Sequence, residues 1–389
     1  MTSDAGDGVR RAVGAVIDPE LRRPIAELGM VRDISITDGL ASVGIVLTIV
    51  GCPAADRISA DVRAAAASVP GVTDVALDVG VMSPAERREL TERLRGGRAA
   101  REMPFGPGSL TRVIAVTSGK GGVGKSTVTA NLAVALAARG LAVGLVDADV
   151  HGFSIPGLLG LVDADGNVPQ PTRIDELMLP PVAYGVKVIS IGMFLRRANG
   201  DAPVGAVAWR GPMLHRTVQQ FLTDVYFGDL DVLLLDMPPG TGDIAISVGQ
   251  LLPNADVVVV TTPQSAASDV AVRSGLVARQ TGQRVAGVIE NMGAMTLPDG
   301  TTLELFGAGG GADVADALSD GAERVPLLGS IPLSTRLRSD GDAGTPLVVA
   351  HPEDPAAVAI MRLAEILAAE PRGLAGRSLP FRTNGTGAS

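Results

Sequence analysis

Three observations predict an α/β fold: a parallel-sheet core with helices on both faces, preceded by a small α+β domain. Between Thr111 and about Glu370, short apolar runs alternate with helical patterns, as strands joined by covering helices do. Hydrophobic residues form 46% of the chain but aromatics only 3%, so alanine, valine, leucine and glycine must do the packing, as in a sheet buried on both faces. The run Val113–Thr117 leads directly into Gly119-Lys120-Gly121-Gly122-Val123-Gly124-Lys125-Ser126-Thr127 and then an alanine-rich helix. That segment satisfies G-x-x-x-x-G-K-[ST], which makes the core one of P-loop NTPase type.

In residues 1–92, Val9–Ile17 reads as a helix and Asp18-Pro19-Glu20 as a turn. Val31–Ile36 and Ala41–Thr48 alternate as strands around the turn Thr37-Asp38-Gly39. Ala54–Ser68 sets Ile58, Val62 and Ala65 on one helical face, and Val72–Val79 returns as a third strand. At roughly 85 residues this unit is large enough to fold alone. Ser83–Arg98 is charged and helical in pattern. Across residues 93–110, Gly96-Gly97 and Met103–Gly108 supply glycine and proline without periodicity, which is linker chemistry. In residues 111–370, strands read at Val113–Thr117, Ala142–Val146, Val186–Ile191, Val232–Leu235, Val257–Thr261 and Val285–Ile289. Helices read at Met213–Val225, Ala266–Arg279 and Ala356–Ala369. Binding loops of such a sheet gather at the carboxyl ends of its strands. Residues 371–389 are polar and glycine-rich and read as a disordered tail.

A formal net charge of −9 argues against a broad nucleic-acid surface. Cys52 is the only cysteine, so no intramolecular disulfide can form. No apolar run approaches the ~20 residues of a membrane span, and the N-terminus has no signal pattern. The expectation is a cytoplasmic protein without a membrane partner. His151, His215 and His351 lack metal-ligand spacing and read as surface or structural residues.

The phosphate loop carries most of the chemistry. Its glycines let backbone N–H groups and the helix N-terminus face an anion. Lys125 is placed for the β- and γ-phosphates of ATP, and Ser126 for Mg²⁺. Asp147, in Leu145–Asp149, and Asp236, in Leu233–Asp236, each close an apolar strand on an acid and are the expected further oxygen ligands of Mg²⁺. Asp149 is placed to orient the attacking water or take its proton. The turn Pro238-Pro239-Gly240 is suited to sensing the γ-phosphate, because glycine admits close backbone approach. Lys120, inside the loop, is not required by an ordinary phosphate loop.

With that second lysine, the loop resembles the deviant Walker A motif of the ParA/MinD class of ATPases. Within it, Asp147-Ala148-Asp149 with Gly152, Ser154 and Pro156, Trp209–Met213 and Asp236–Asp243 resemble the Mrp/ApbC iron–sulfur carrier family. So do Thr261–Gln264, Glu290-Asn291-Met292, Phe306–Gly311 and Gly329–Leu333, and the likeness runs in order from Val113 to Pro346. Asp18–Leu21 and Glu27–Val31 resemble the small iron–sulfur-assembly domain often fused in front. The resemblance implies a nucleotide-sandwich homodimer in which Lys120 reaches the partner's ATP, Asp149 places the water and Asn291 recognises adenine. It also implies iron–sulfur apoproteins or assembly proteins as partners.

One departure bears on the cargo. The C-x-x-C pair usual after Glu-Asn-Met is missing from Gly293–Thr302, and no residue there replaces a thiolate. Cys52 is the remaining candidate iron–sulfur ligand, and its place before a helix would lower its pKa through the helix dipole. The expected function is therefore a slow ATPase that carries iron–sulfur clusters. The alternative is a cluster-free, ATP-switched adaptor or positioning ATPase.

Overall fold

The computed structural model describes residues 2–49, 52–96, 102–106, 108–150, 152–194, 211–321 and 323–370. His151, Trp209, Arg210 and the tail 371–389 lie outside the described residues.

The first domain comprises α1 (Thr2–Gly14), β1 (Val31–Thr37), β2 (Leu40–Leu47), α2 (Ala55–Ala67), β3 (Asp74–Val81) and α3 (Pro84–Arg95). Asp38 at φ +51 and Gly39 at φ +85 make the tight turn that folds β1 back on β2. β1 and β2 are antiparallel, and β3 joins β2 in parallel. Ile58 and Val62 of α2 are buried against the sheet; Ala66, not the expected Ala65, completes that face. Ser83 and Glu86 form a capping box that starts α3, and Gly96 at φ +59 ends it.

The second domain continues through β4 (Arg112–Ser118), α4 (Lys125–Ala138), β5 (Val143–Asp147), α5 (Ile155–Leu158), β6 (Thr172–Ile174), β7 (Leu177–Leu179), β8 (Val182–Ala183) and β9 (Val186–Ser190). Next come α6 (Gly211–Thr223), β10 (Val232–Asp236), α7 (Asp243–Leu251), β11 (Asp256–Thr261), α8 (Ser265–Gln280), β12 (Arg284–Gly293), β13 (Met295–Thr296) and β14 (Thr302–Leu303). The chain closes with α9 (Gly310–Leu318), β15 (Leu327–Pro332), α10 (Thr335–Asp342), α11 (Leu347–Ala350) and α12 (Pro355–Ala369).

The large sheet runs β15-β12-β11-β4-β10-β5-β9-β8, parallel throughout except for the edge strand β8. β4, β5 and β10 are buried along their whole length, which is why they read as unbroken apolar runs. α4 is buried on nearly every side, packed beneath α12 as well as on the sheet. The apolar core of the first domain contains Ile174, Leu177 and Leu179, which the hairpin β6–β7 of the second domain supplies. No described helix is long and apolar enough to cross a membrane.

Candidate functional site

β4 ends at Ser118 and its chain turns at once into the phosphate loop. Gly119 lies so close to α8 that a Cβ there would run into the backbone of Val270 and Ala271. Gly122 at φ +83 and Gly124 at φ +77 adopt a conformation open to glycine and strained for other residues. Gly124 is also the N-cap of α4, so the unpaired N–H groups of the first turn face the loop, as an anion site requires.

The carboxyl ends of β4, β10 and β5 bring the acids together. In register, Asp236 lies beside Asp147 on one side and Val116 on the other. Lys125 Nζ donates to Asp236 Oδ1 at 2.7 Å and lies 3.8 Å from Asp149 Oδ2. Ser126 Oγ donates to Asp236 Oδ2 at 2.6 Å, and Thr129 Oγ1 lies 3.1 Å from Oδ1. Asp147 accepts from Ser190 Oγ at 2.9 Å and from the Asp149 N–H at 3.2 Å. Burial, reinforced by the neighbouring Asp236 charge, pushes the Asp147 pKa well above the ordinary carboxylate range. Burial also raises that of Asp236, against the opposing pull of Lys125.

Two buried carboxylates that repel each other, with a serine hydroxyl beside them, form a hard all-oxygen donor set suited to Mg²⁺. Among the described residues, no group of three or more His, Cys, Asp or Glu side chains is arranged to hold a metal. A cation here must therefore draw further oxygens from outside the protein, as Mg²⁺ does from phosphates and water.

The remaining loop residues are engaged within the chain. Lys120 Nζ donates to Gln264 Oε1 at 3.3 Å. Asn291 is buried, and its Nδ2 donates to the Val123 carbonyl at 2.9 Å, tying β12 to the loop. The Gly240 N–H, expected to be available to a phosphate, donates to Ser118 O at 2.7 Å. Ser274 Oγ sits 3.3 Å from Ser118 O and 3.5 Å from Gly240 O, bridging the loop and the Pro238–Gly240 turn. Thr129, Ser190 and Ser274 were not legible as site residues; Gln264 fell within the Thr261–Gln264 segment of the family resemblance but without a role. Thr129 and Ser274 lie inside helices, whereas Ser190, a polar residue closing an apolar strand, carried a signal.

Cys52 departs from expectation. It is buried, 6% exposed, and α2 begins only at Ala55. Burial pushes its thiol above the ordinary range, and the nearby Glu20 and Asp18 carboxylates push it the same way; the Ala54 N–H opposes them. The expected lowering is not found, because desolvation and two acids outweigh the Ala54 and Thr48 hydrogen bonds that oppose them.

Comparison with known proteins matches residues 109–368 to a family described as NUBPL iron-transfer P-loop NTPase. Residues 7–79 match a family described as iron-sulfur cluster assembly protein. An "Iron-sulfur cluster carrier protein" of Mycobacterium tuberculosis is 55% identical over 380 residues, covering 97% of this chain and 96% of the relative. One of the same description from Deinococcus radiodurans is 41% identical over 365 residues, covering 94% and 95%. Among solved structures, a nucleotide-binding protein from Archaeoglobus fulgidus in complex with ADP is 36% identical with a TM-score of 0.48, covering 60% of this chain and 86% of that one.

Proposed function

Because the chain belongs to the NUBPL-type iron-transfer P-loop NTPase family, we propose that it is an ATP-hydrolysing iron–sulfur cluster carrier, acting as a cytoplasmic homodimer that passes clusters to apoproteins. The observation that carries the nucleotide half is the Lys125–Asp236–Ser126 contact at the mouth of the phosphate loop. On entry of nucleotide, Lys125 exchanges Asp236 for the β- and γ-phosphates, which frees Ser126 and Asp236; these, with Asp147, would hold Mg²⁺, whose charge would offset that of the phosphates. Asp149, next to Lys125, orients the attacking water and takes its proton as the water oxygen bonds to the γ-phosphorus and ADP leaves. Lys120 of a second copy stabilises the charge that develops, leaving its contact with Gln264 to do so. Asn291 is assigned to the adenine edge, giving up its bond to the Val123 carbonyl to do so.

Cargo is the less direct half of the reading. Cys52 is the single thiol, so each protomer offers one thiolate to a cluster. Anaerobic reconstitution with iron and sulfide tests this, read by absorbance and metal content. Wild type is expected to take up a cluster and Cys52→Ser to lose it. If wild type loads none, the cluster-free adaptor reading replaces this one; if Cys52→Ser loads equally, the ligand assignment fails. Lys120→Ala is expected to bind ATP normally and lose at least about ten-fold in turnover; near-normal turnover would remove Lys120 from the mechanism. Asp149→Ala should accumulate an ATP-bound dimer on gel filtration, and a monomer under ATP would contradict its role.

A further inference from the structure

The hairpin β6–β7 is a wall shared by two domains. Its strands are three residues each, joined by a turn in which Asp175 takes φ +53. An isolated two-stranded hairpin of this length is marginal in water, so its position depends on what lies on either side. Alternation along β7 settles the two sides. Met178 belongs to the core of the ATPase domain, whereas Leu177 and Leu179, with Ile174 on β6, belong to the core of the small domain. Backbone bonds hold the hairpin to the ATPase side: Met178 N–H donates to Asp224 O and Tyr226 N–H to Met178 O, both at 2.8 Å.

On the other side, the hairpin packs into the core of the small domain, and Cys52 is part of the same buried cluster as Ile174, Leu177 and Leu179. Thr172 Oγ1 donates at 3.0 Å to Glu20 Oε1, the carboxylate whose charge reaches the Cys52 thiol. At the rim, Arg95 of α3 pairs with Glu176 at 3.2 Å and Arg87 lies 3.7 Å from Asp175, so the turn is clasped by charge as well as buried by apolar contact. The core of a domain is ordinarily closed by its own chain; here the second domain supplies part of it.

We infer that the β6–β7 hairpin is an internal cap on the Cys52 face of the small domain, and that Cys52 meets solvent or another protein only when that domain separates from the hairpin. The face beneath the cap is an apolar surface rimmed by the arginines Arg87 and Arg95. It fits a partner that presents a short apolar strand ending in acidic residues, in place of the hairpin. This goes beyond the carrier reading and stands without it, because the accessibility of a thiol is measurable whether or not a cluster ever binds.

The test is alkylation of Cys52, the only thiol of the 389-residue chain, in that whole chain with a polymer-linked maleimide. Wild type should react far more slowly than an unstructured cysteine peptide. Ile174→Ala combined with Asp175→Arg and Glu176→Arg should accelerate the reaction by about ten-fold or more, since a protected group reacts in proportion to its open population. Adding Arg87→Asp and Arg95→Glu to the charge-reversed turn should restore much of the protection. Thermal unfolding and ATP binding of each variant report whether the ATPase domain is intact. Wild type reacting as fast as the peptide overturns the cap, as does an unchanged rate in the hairpin variants. A rise seen only where the thermal transition collapses, with no recovery on the charge swap, overturns it too.

Discussion

Gly124 has no spare room: a Cβ would meet the Asn291 amide, and its φ of +77 is strained for any L side chain. Gly124→Ala should therefore lower nucleotide affinity at least about ten-fold, since the left-handed conformation alone costs roughly 1–2 kcal/mol. Calorimetric titration with ADP checks this, and a wild-type affinity would refute it. Asp147 sets a different balance. Its pKa is raised by burial and by Asp236, so its folded value lies above its unfolded one. The folded state then holds the proton more tightly, and stability is lost as pH climbs from the unfolded toward the folded pKa. Above that window the nucleotide-free protein carries a buried charge that a cation would relieve. Asp147→Asn should thus raise the thermal midpoint of the nucleotide-free protein while weakening Mg²⁺-dependent nucleotide binding, both readable by scanning fluorimetry with and without Mg²⁺. A lowered midpoint would show that Asp147 is structurally required as an anion. Lys125, Ser126 and the two strand-end acids were legible because spacing and strand–loop context define them. The bonds of Ser190 and Ser274 to this cluster were not, because they join residues 43 and 156 positions apart.

At the scale of elements, α12 is held by more than its apolar face. Arg112, at the start of β4, bonds Asp256 of β11 at 2.8 Å, Glu370 at 2.7 Å and the Leu367 carbonyl; Arg284 of β12 reaches the same two acids. Removing one partner of a buried pair leaves the others uncompensated, so Arg112→Ala should cost about 3 kcal/mol. Urea unfolding would show it, and a loss below about 1 kcal/mol would mean Arg284 suffices alone. The expected strands of the sheet fall within a residue or so of the observed ones, except that β12 runs on to Gly293. Apolar, β-branched runs buried on both faces leave little ambiguity. The glycine run Gly307–Gly311 leads into α9, which begins at Gly310. Gly310 and Gly311 are needed there for close packing: a Cβ at Gly310 would press on Thr262 and Pro263 carbonyls, and one at Gly311 on the Glu290 side chain. The fold uses these glycines for contact.

At the scale of the whole molecule, the two domains meet across Lys187 of β9. Its ammonium donates to Phe227 O at 2.8 Å, lies over the Tyr226 ring and faces Asp18, Arg22 and Asp229. Burial, with Arg22, lowers its pKa to about 8 from 10.5. The folded value lies below the unfolded one, so the folded state binds fewer protons between them, and stability should rise as pH climbs from about 8 to 10.5. The gain is at most about 3 kcal/mol. Tyr226 and Cys52 have raised pKa values and act in the opposite direction at alkaline pH. The difference between wild type and Lys187→Met in urea midpoints isolates the lysine, and parallel pH profiles would refute its contribution. The sequence alone determined the class of fold, the phosphate loop and the acids around it, because strand period, glycine spacing and a strand-end carboxylate are local features written in consecutive residues. Tertiary structure decided the environment of Cys52. Whether a thiol faces solvent or joins a buried cluster with residues more than a hundred positions away depends on which apolar faces meet, and burial then raises its pKa.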